Sequence, residues 1–228
     1  PGAGVAESIR AATIFGTDGS ASAIRRKIMA QPGAEGSEVY LDYGYKELYI
    51  PPAEGGGFRM EKNALHIWPR GAYMMIALPN FDGSFTVTLF LPMEGLHPSF
   101  ESLSTPARVA DFFRSDFEDS IPLIEDLEGS FFSNPTGRMV TVHASPWNFE
   151  ERALLIGDAA HAIVPFFGQG MNCGFEDVSL FFERVDALPA GARWQSLFES
   201  FGRERKPDSD AIARLAIENF VEMRDKVG

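Results

Sequence analysis

The sequence predicts a mixed α/β (α+β) fold in which two α/β segments flank a mainly antiparallel β region. Two short apolar runs, each of which resembles a buried strand, predict the α/β part. Residues 11–16 form the first run, which ends before Asp18, and residues 152–157 form the second, which leads into Asp158. Between them, residues 39–147 change to short β-prone runs separated by turns. We therefore expect one α/β layer built from both ends of the chain, with a β-rich domain inserted into it.

The β-rich region is predicted to contain a hairpin and one helix. Residues 73–78 and 85–91 are strand-like and bracket a turn over residues 79–84, which indicates the hairpin. Thr105 and Pro106 suit the N-cap and the first position of a helix. The apolar stripe that would bury one side of this helix consists of Val109, Phe112, Phe113 and Phe117.

The C-terminal part of the chain is predicted to be helical. A glycine-bearing loop after Asp158 leads to a helix from about residue 172 to residue 188, and a second helical pattern follows Arg193. Lys206-Pro-Asp208 predicts a break in this pattern, which then resumes through Val227. The predicted domains are 1–36 and 148–190 for the α/β domain, 37–147 for the β-rich domain and 191–228 for the C-terminal helices.

Composition limits the classes of partner. The 20 basic and 32 acidic residues give a net charge of -12, which disfavours nucleic acid and anionic membranes and favours small molecules. Cys173 is the sole cysteine, so no internal disulfide is possible, and four scattered histidines do not suggest a metal centre. The sequence shows no run of about 18 apolar residues and no signal peptide, so we expect a cytoplasmic protein.

The loop after Asp158 is the most informative segment. A carboxylate at the end of a buried strand can accept hydrogen bonds from the ribose hydroxyls of a dinucleotide. Gly168, Gly170 and Gly174 would let the backbone approach a flat ring or a phosphate, and the helix that follows offers unpaired N–H donors. A plain strand-to-helix connection would explain the same spacing, because isolated glycine loops are weak signals.

The identities of the residues in this loop are more specific than the spacing of its glycines. It contains Gly157-Asp-Ala-Ala-His161, followed by Pro165 and by Gly168-Gln-Gly-Met-Asn172. These residues resemble the second FAD fingerprint of the flavoprotein aromatic hydroxylases. The resemblance implies a partial FAD-binding Rossmann-like domain with an inserted, mainly antiparallel substrate domain and C-terminal helices.

A second motif stands about 140 residues earlier in the chain. Phe15-Gly-Thr-Asp-Gly-Ser20, with Ser22 and Arg25, resembles the Asp-Gly motif of the same family, which is tied to both FAD and NADPH. Thr17 stands where the family usually has alanine. Two family motifs in the family's order are harder to obtain by chance than either motif alone.

Four further runs are informative, namely residues 66–70, 75–80, 164–172 and 218–224. They resemble the kynurenine 3-monooxygenase branch of that family. The resemblance implies hydroxylation of L-kynurenine to 3-hydroxykynurenine with NADPH and O2, in tryptophan catabolism. A hydroxylase of another aromatic substrate, or a non-catalytic module that kept the fold, stays open as an alternative.

The resemblance also implies roles for individual residues, with no catalytic side chain and no metal ligand among them. His161 could be a general base, or a metal ligand together with Asp158, but a lone histidine near a strand end is more often structural. Cys173 has no paired histidine, so we do not expect it to be a nucleophile. Phe166 and Phe167 could instead be ordinary core residues, Arg25 could belong to a solvated helix face with Arg26 and Lys27, and Glu222 could be a surface residue. The predicted cofactor-binding residues are Asp18, Arg25, Asp158, Gly168, Gly170, Met171 and Asn172, with Arg25 near the diphosphate or NADPH. The predicted substrate-binding residues are Pro165, Phe166, Phe167, Asn219, Glu222 and Met223.

One expected part of such an enzyme is missing from the sequence. No strand is followed by the Gly-x-Gly-x-x-Gly turn that binds a dinucleotide's diphosphate. We therefore expect an internal fragment that binds FAD weakly and is inactive by itself. The parent protein would be cytoplasmic, or bound to the mitochondrial outer membrane if it is eukaryotic and has a C-terminal anchor.

Overall fold

The computed structural model describes residues 7–95 and 98–226. The chain divides into two compact units. The first comprises the residues up to Val39 together with Val140–Ala216, and the second comprises Tyr40–Met139 together with the residues from Ile217 onward. The predicted domains, with limits at residues 36, 147 and 190, are assigned by function, whereas these two units are defined by packing alone. The predicted limits therefore stay predictions.

The described residues form eight strands, six α-helices and two short 3₁₀ helices. The strands are β1 (Ile14–Gly16), β2 (Glu35–Ile50), β3 (His66–Pro69), β4 (Met74–Pro79), β5 (Phe85–Pro92), β6 (Gly137–Ser145), β7 (Asn148–Phe149) and β8 (Ala153–Leu155). The α-helices are α1 (Ala23–Met29), α2 (Pro106–Asp116), α3 (Leu127–Ser133), α4 (Asp158–His161), α5 (Gly170–Asp186) and α6 (Trp194–Lys226). The 3₁₀ helices span Glu118–Ser120 and Pro165–Phe167.

A three-stranded sheet in the order β1-β8-β7 forms the centre of the first unit. β1 and β8 are parallel, with Phe15 opposite Leu154, which confirms that the two predicted apolar runs are strands of one layer. The expected burial of the first run is wrong, since Ile14 is 50% and Phe15 is 42% exposed. β1 is the edge strand of this sheet, so within the described residues only one of its sides is paired.

The second unit contains most of the five-stranded sheet, whose order is β3-β4-β5-β2-β6. β4 and β5 form the predicted hairpin, with Pro79 opposite Phe85. The N–H of Asn80 donates to the carbonyl of Ser84 at 2.8 Å, and Gly83 provides the positive φ of 89° that the turn needs. The mainly antiparallel character predicted for this region is confirmed.

α2 covers this sheet and supplies much of the second unit's core. It begins as predicted, with Thr105 as the N-cap and Pro106 at the first helical position. The phenylalanine stripe is buried as predicted: Phe112 is 1% exposed, and Phe113 and Phe117 are fully buried. These rings pack in one apolar cluster with strand residues that include Ile50, Met75, Val87 and Leu89.

α6 is one continuous helix of 33 residues, so the predicted break at Lys206-Pro-Asp208 is wrong. Pro207 lacks an N–H and cannot donate to the carbonyl four residues earlier, which costs about 3 kcal/mol in a helix interior. Buried residues on both sides of the proline hold the helix together, since Phe201 is 0%, Arg205 4% and Ser209 1% exposed. Tertiary packing therefore outweighs the local preference. The prediction for Val227 falls outside the described residues.

A search of the described residues for membrane-spanning helices gave none, because no helix among them combines the required length with the required apolarity.

Candidate functional site

The first unit places both sequence motifs at one edge of its sheet. β1 and β8 are parallel, and the N–H of Ile156 donates to the carbonyl of Gly16 at 3.0 Å just beyond the paired residues. The turn at Asp18 and the turn at Asp158 therefore follow the carboxyl ends of neighbouring parallel strands. In open α/β sheets, ligands bind at this edge.

A cavity of about 670 Å³ lies at this edge of the first unit. Five of the predicted site residues line it, and they come from the loop and from the start of α5: Asp158, Pro165, Gly168, Gly170 and Met171. The remaining lining residues are Thr17, Gly19, Ile156, Gly157, Ile163, Gly174, Phe175 and Val178. The structure thus brings part of the predicted site together around one open space.

Gly157 makes the sharp turn between β8 and α4. Its φ of 62° and ψ of -142° form a conformation that is accessible essentially to glycine alone. A Cβ at this position would lie 3.8 Å from the Cα of Gly174, so the turn also runs close to α5. The next residue, Asp158, begins α4 with an exposed side chain and lines the cavity. The turn therefore delivers a carboxylate to the cavity.

The N-terminus of α5 borders the same cavity. Gln169 is its N-cap residue and makes no side-chain capping bond, and the N–H of Cys173 is bonded to the carbonyl of Gln169 at 2.9 Å. The N–H groups of Gly170, Met171 and Asn172 precede the first intrahelical bond, so the helix itself offers them no acceptor. They are donors at the positive end of the helix dipole. Met171 is 71% exposed, and Asn172 donates from its side chain to Oε1 of Gln169 at 3.1 Å.

Asp18 holds the start of α1 and does not line the cavity, although its neighbours Thr17 and Gly19 do. Its carboxylate accepts from the Ser22 hydroxyl at 2.5 Å and from the N–H of Ala23 at 2.7 Å. Burial raises the pKa of Asp18, but the hydrogen bonds from Ser22 and from the N–H groups of Ile24 and Ala23 lower it by more, so the net pKa lies below 3.8. Asp18 therefore stabilises the turn, and its role toward a cofactor stays a prediction.

We expect Asp18→Asn to weaken the acid dependence of stability. Because the native pKa is lowered, the stabilisation from this carboxylate is fully present above 3.8 and is lost as the pH falls through the lowered native value. Unfolding by urea at about pH 6 and about pH 3 would measure this, with the wild type losing more stability than the variant. An equal loss in both proteins would contradict the assignment.

Arg25 is buried, with 2% exposure, so the alternative of a solvated position is wrong for this residue. Its guanidinium donates to the carbonyl of Ala159 at 3.0 Å and to that of Ser20 at 2.5 Å, and it pairs with Glu38 at 2.5 Å. Arg26 and Lys27 are exposed, as a solvated face requires. Arg25 thus connects α1 to α4 through the carbonyl of Ala159. Direct contact with a cofactor stays a prediction.

Among the predicted substrate-binding residues at 165–167 whose side chains the structure describes, only Pro165 lines the cavity. Pro165 is exposed and lines the cavity, whereas Phe166 is 7% exposed and is not among the lining residues. The side chain of Phe167 lies outside what the structure describes. The substrate-binding role of these three residues stays a prediction.

The remaining predicted substrate residues lie on α6, in the second unit. Asn219 donates to the sulfur of Met223 at 3.3 Å, and Glu222 is exposed. The core side of this stretch is the face that carries Ala216 and Phe220, which are 0% and 4% exposed. Binding roles for Asn219, Glu222 and Met223 stay predictions.

A buried ionic cluster that was not predicted from the sequence lies next to the cavity. It consists of His161, Asp177 and Arg205, which are 4%, 0% and 4% exposed. A signal for it exists in the helix pattern. Asp177 lies four residues from Cys173 and from Phe181 on the buried face of α5, and Arg205 follows Phe201 in the same way on α6. A charged residue at a core-facing position requires a buried partner of opposite charge.

Two further features bear on other kinds of site. Burial raises the pKa of Cys173, so its thiol is not activated as a nucleophile. Among residues 7–95 and 98–226, no group of three or more His, Cys, Asp or Glu side chains has the arrangement of a metal site. A second cavity in the first unit, of about 690 Å³, lies along α6 and β7 and contains none of the predicted site residues.

Comparison with known proteins agrees with this geometry. A protein named kynurenine 3-monooxygenase, from Myxococcus xanthus, is 57% identical to this chain over 215 residues, which cover 94% of this chain and 46% of that protein. A protein of the same name from Dictyostelium discoideum is 47% identical to this chain over 232 residues, which cover 97% of this chain and 50% of that protein. The chain therefore spans about half the length of the curated relatives it matches.

Solved structures give the same fold. The tetrameric form of 2-methyl-3-hydroxypyridine-5-carboxylic acid oxygenase superposes with a TM-score of 0.73 at 19% identity, over 97% of this chain and 57% of that one. This likeness confirms the predicted mixed α/β fold with its antiparallel sheet and C-terminal helical part. A family model described as "FAD binding domain" matches residues 1–216. The chain therefore belongs to the FAD binding domain family.

Proposed function

We propose that this chain forms half of the FAD site of a flavin monooxygenase that hydroxylates L-kynurenine to 3-hydroxykynurenine with NADPH and O2. The observation that carries the proposal is the cavity at the carboxyl ends of β1 and β8. It combines the carboxylate of Asp158 with the open N-terminus of α5 around Gly170. This pairing of an acceptor with backbone donors suits the ribose and the polar groups of a dinucleotide.

The residues present fit FAD in two places. Asp158 would accept hydrogen bonds from a ribose hydroxyl, and the N–H groups of Gly170, Met171 and Asn172 would donate to the polar edge of the flavin ring. Gly157 and Gly174 keep the backbone free of side chains where the turn and α5 approach each other. When bound, FAD supplies the redox and oxygen-transfer chemistry, so the protein needs to bind, orient and shield rather than provide a nucleophile.

The substrate is inferred from the relatives. The proteins that match over more than nine-tenths of this chain at 47–57% identity are named kynurenine 3-monooxygenase. We therefore favour L-kynurenine over another aromatic acid, and assign Pro165, Phe166 and Phe167 to the aromatic side of the substrate. Asn219 and Glu222 would bind its amino-acid end, with Met223 in contact with Asn219. A non-catalytic module is disfavoured because the loop retains both the carboxylate and the open helix terminus.

The setting follows from the same proposal. The reaction needs only small molecules, namely NADPH, O2 and the amino acid, and the net charge of -12 does not favour nucleic acid. We place the enzyme in the cytoplasm, where all three are present.

The test is NADPH oxidation by the complete gene product that contains residues 1–228, with and without L-kynurenine. We expect kynurenine to stimulate NADPH oxidation and 3-hydroxykynurenine to accumulate, as quantified by chromatography. A flavin-loaded protein that ignores kynurenine would keep the FAD site and overturn the substrate. A complete protein without any flavin absorbance would favour the non-catalytic alternative.

A further inference from the structure

Three donors converge on one buried carboxylate beside the candidate FAD site. Asp177, in the middle of α5, accepts from the backbone N–H of Gly157 at 2.9 Å and from Nε2 of His161 at 2.5 Å, both on Oδ2. Its other oxygen, Oδ1, accepts from Nε of Arg205 at 2.7 Å. The side chain of Asp177 is fully buried, so these contacts replace its hydration.

The carboxylate of Asp177 is ionised in the folded protein. Burial raises its pKa, but the hydrogen bond and charge of His161, the hydrogen bond from Arg205 and the N–H of Gly157 lower it by more, so the net pKa is below 3.8. All three neighbours donate, and a carboxylate accepts at both oxygens. An amide at this position would have to turn its own N–H donors toward one of them. The centre therefore requires an acid rather than merely a polar side chain.

His161 is held from two sides. Because Asp177 accepts, Nε2 of His161 carries a hydrogen. The ring rests on the indole of Trp147, with centroids 4.9 Å apart and planes 34° apart. Nδ1 is buried and has no hydrogen-bond partner among the described residues. The contacts to Asp177 and Trp147 therefore set the orientation of the ring.

Asp177 thereby holds both ends of α4. Gly157 is the N-cap residue of this helix and His161 is its last residue. A helix of four residues has no stability of its own, so contacts outside it must fix its position. Asp158 lies between the two anchored ends and lines the cavity. Arg205, from α6, supplies the positive charge that keeps the carboxylate of Asp177 compensated.

We propose that Asp177, with His161 and Arg205, positions the FAD site: it fixes the Gly157–His161 turn and thereby holds Asp158 where the ribose binds. This inference rests on the proposed function, because it takes Asp158 to contact FAD. Asp177 is a positioning residue and does not itself contact FAD or the substrate. The substitutions that test it should therefore act on FAD binding through Asp158.

A double-mutant cycle on FAD affinity tests this coupling. The complete gene product is freed of flavin, and the Kd for FAD is measured by flavin fluorescence for the wild type, Asp158→Ala, Asp177→Asn and the double variant. Each single substitution should weaken binding by about tenfold, which corresponds to one charge-assisted hydrogen bond. The double variant should be no weaker than either single one, because both changes remove the same contact. Glu183→Gln, on the exposed side of α5, is the matched control and should bind as the wild type does.

The outcomes separate the two proposals. Independent effects, with the double variant weakened by about a hundredfold, would overturn the positioning role while leaving Asp158 as an FAD ligand. Wild-type affinity in Asp177→Asn would overturn it as well. A wild-type protein that does not bind FAD would overturn the proposed function first, and the inference with it.

A second pair of variants covers the case in which Asp177→Asn does not fold. His161→Gln keeps an N–H donor near the position of Nε2, whereas His161→Leu removes it. We expect His161→Leu to weaken FAD binding and His161→Gln to restore most of the affinity. Equal affinities in the two variants would overturn the proposal, because a purely structural role would depend on the volume of the side chain rather than on its donor.

Discussion

Replacing Arg205 with methionine is expected to lower the free energy of unfolding by about 3–5 kcal/mol, because it leaves a buried carboxylate without its counterion. Arg205 bonds Asp177 at 2.7 Å and also pairs with Glu176, and its side chain is 4% exposed. Methionine fills a similar volume, so the loss comes from the charge and the hydrogen bonds rather than from a cavity. Urea unfolding followed by tryptophan fluorescence would measure the difference.

Arg203→Met is the matched control for this substitution. Arg203 lies on the same helix, its side chain is 75% exposed, and its contact with Glu204 is 3.9 Å long. We expect a change within about 0.5 kcal/mol. If both arginine variants unfold at the same urea concentration, the buried cluster does not stabilise the first unit.

Replacing Phe113 with alanine is expected to cost about 3–5 kcal/mol in the second unit, through lost burial and the cavity that remains. Phe113 is fully buried, and its ring lies 5.5 Å from that of Phe112 and 5.6 Å from that of Phe117. Both neighbouring rings belong to one close-packed apolar cluster, so we do not expect them to fill the space. Thermal unfolding followed by circular dichroism would show the loss as a lower Tm.

The same substitution at an exposed ring provides the comparison. Phe81 lies in the turn between β4 and β5 and is fully exposed, so Phe81→Ala removes an equal number of atoms without opening a cavity. We expect its Tm to stay within a few degrees of the wild-type value. A similar loss in both variants would mean that α2 does not carry the core of this unit.

Local patterns predicted much of the fold correctly. The turn chemistry at residues 79–84 predicted the hairpin of β4 and β5, and Thr105 with Pro106 predicted the start of α2. In both cases a few neighbouring residues fix the backbone, through a positive φ at Gly83 and a preset φ at Pro106. Features set by local chemistry of this kind are readable from one sequence.

Features that depend on distant residues were predicted less well. Pro207 predicted a break in α6, but buried residues on either side keep the helix continuous. The burial expected for Ile14 and Phe15 depended on the position of β1 in its sheet, and β1 is an edge strand. In both cases tertiary structure overrides a local signal.

The candidate site also has residues that a local motif predicted and residues that only tertiary packing brings together. The residues after β8 were predicted because the loop resembles a family motif, and the structure gathers Asp158, Gly168 and Gly170 around one cavity. The buried ionic cluster was not predicted because its members lie far apart in sequence. Asp177 and Arg205 are 28 residues apart, and only packing of α5 against α6 joins them. One charged position on the buried face of each helix was the available signal.

FAD affinity of a Gly170→Val variant of the complete gene product shows whether FAD binds in the cavity beside Asp158. A side chain at Gly170 has room within the protein, since a Cβ would lie 3.9 Å from Oδ1 of Asp158, but it would occupy the cavity at the start of α5. We expect an unchanged Tm without flavin and a loss of FAD affinity of at least about a hundredfold, or about 2.7 kcal/mol. Gly57→Val, at an exposed glycine of the second unit with Ala53 4.0 Å away, should bind FAD like the wild type. Wild-type FAD affinity in Gly170→Val would show that the cavity at the carboxyl ends of β1 and β8 is not the FAD site.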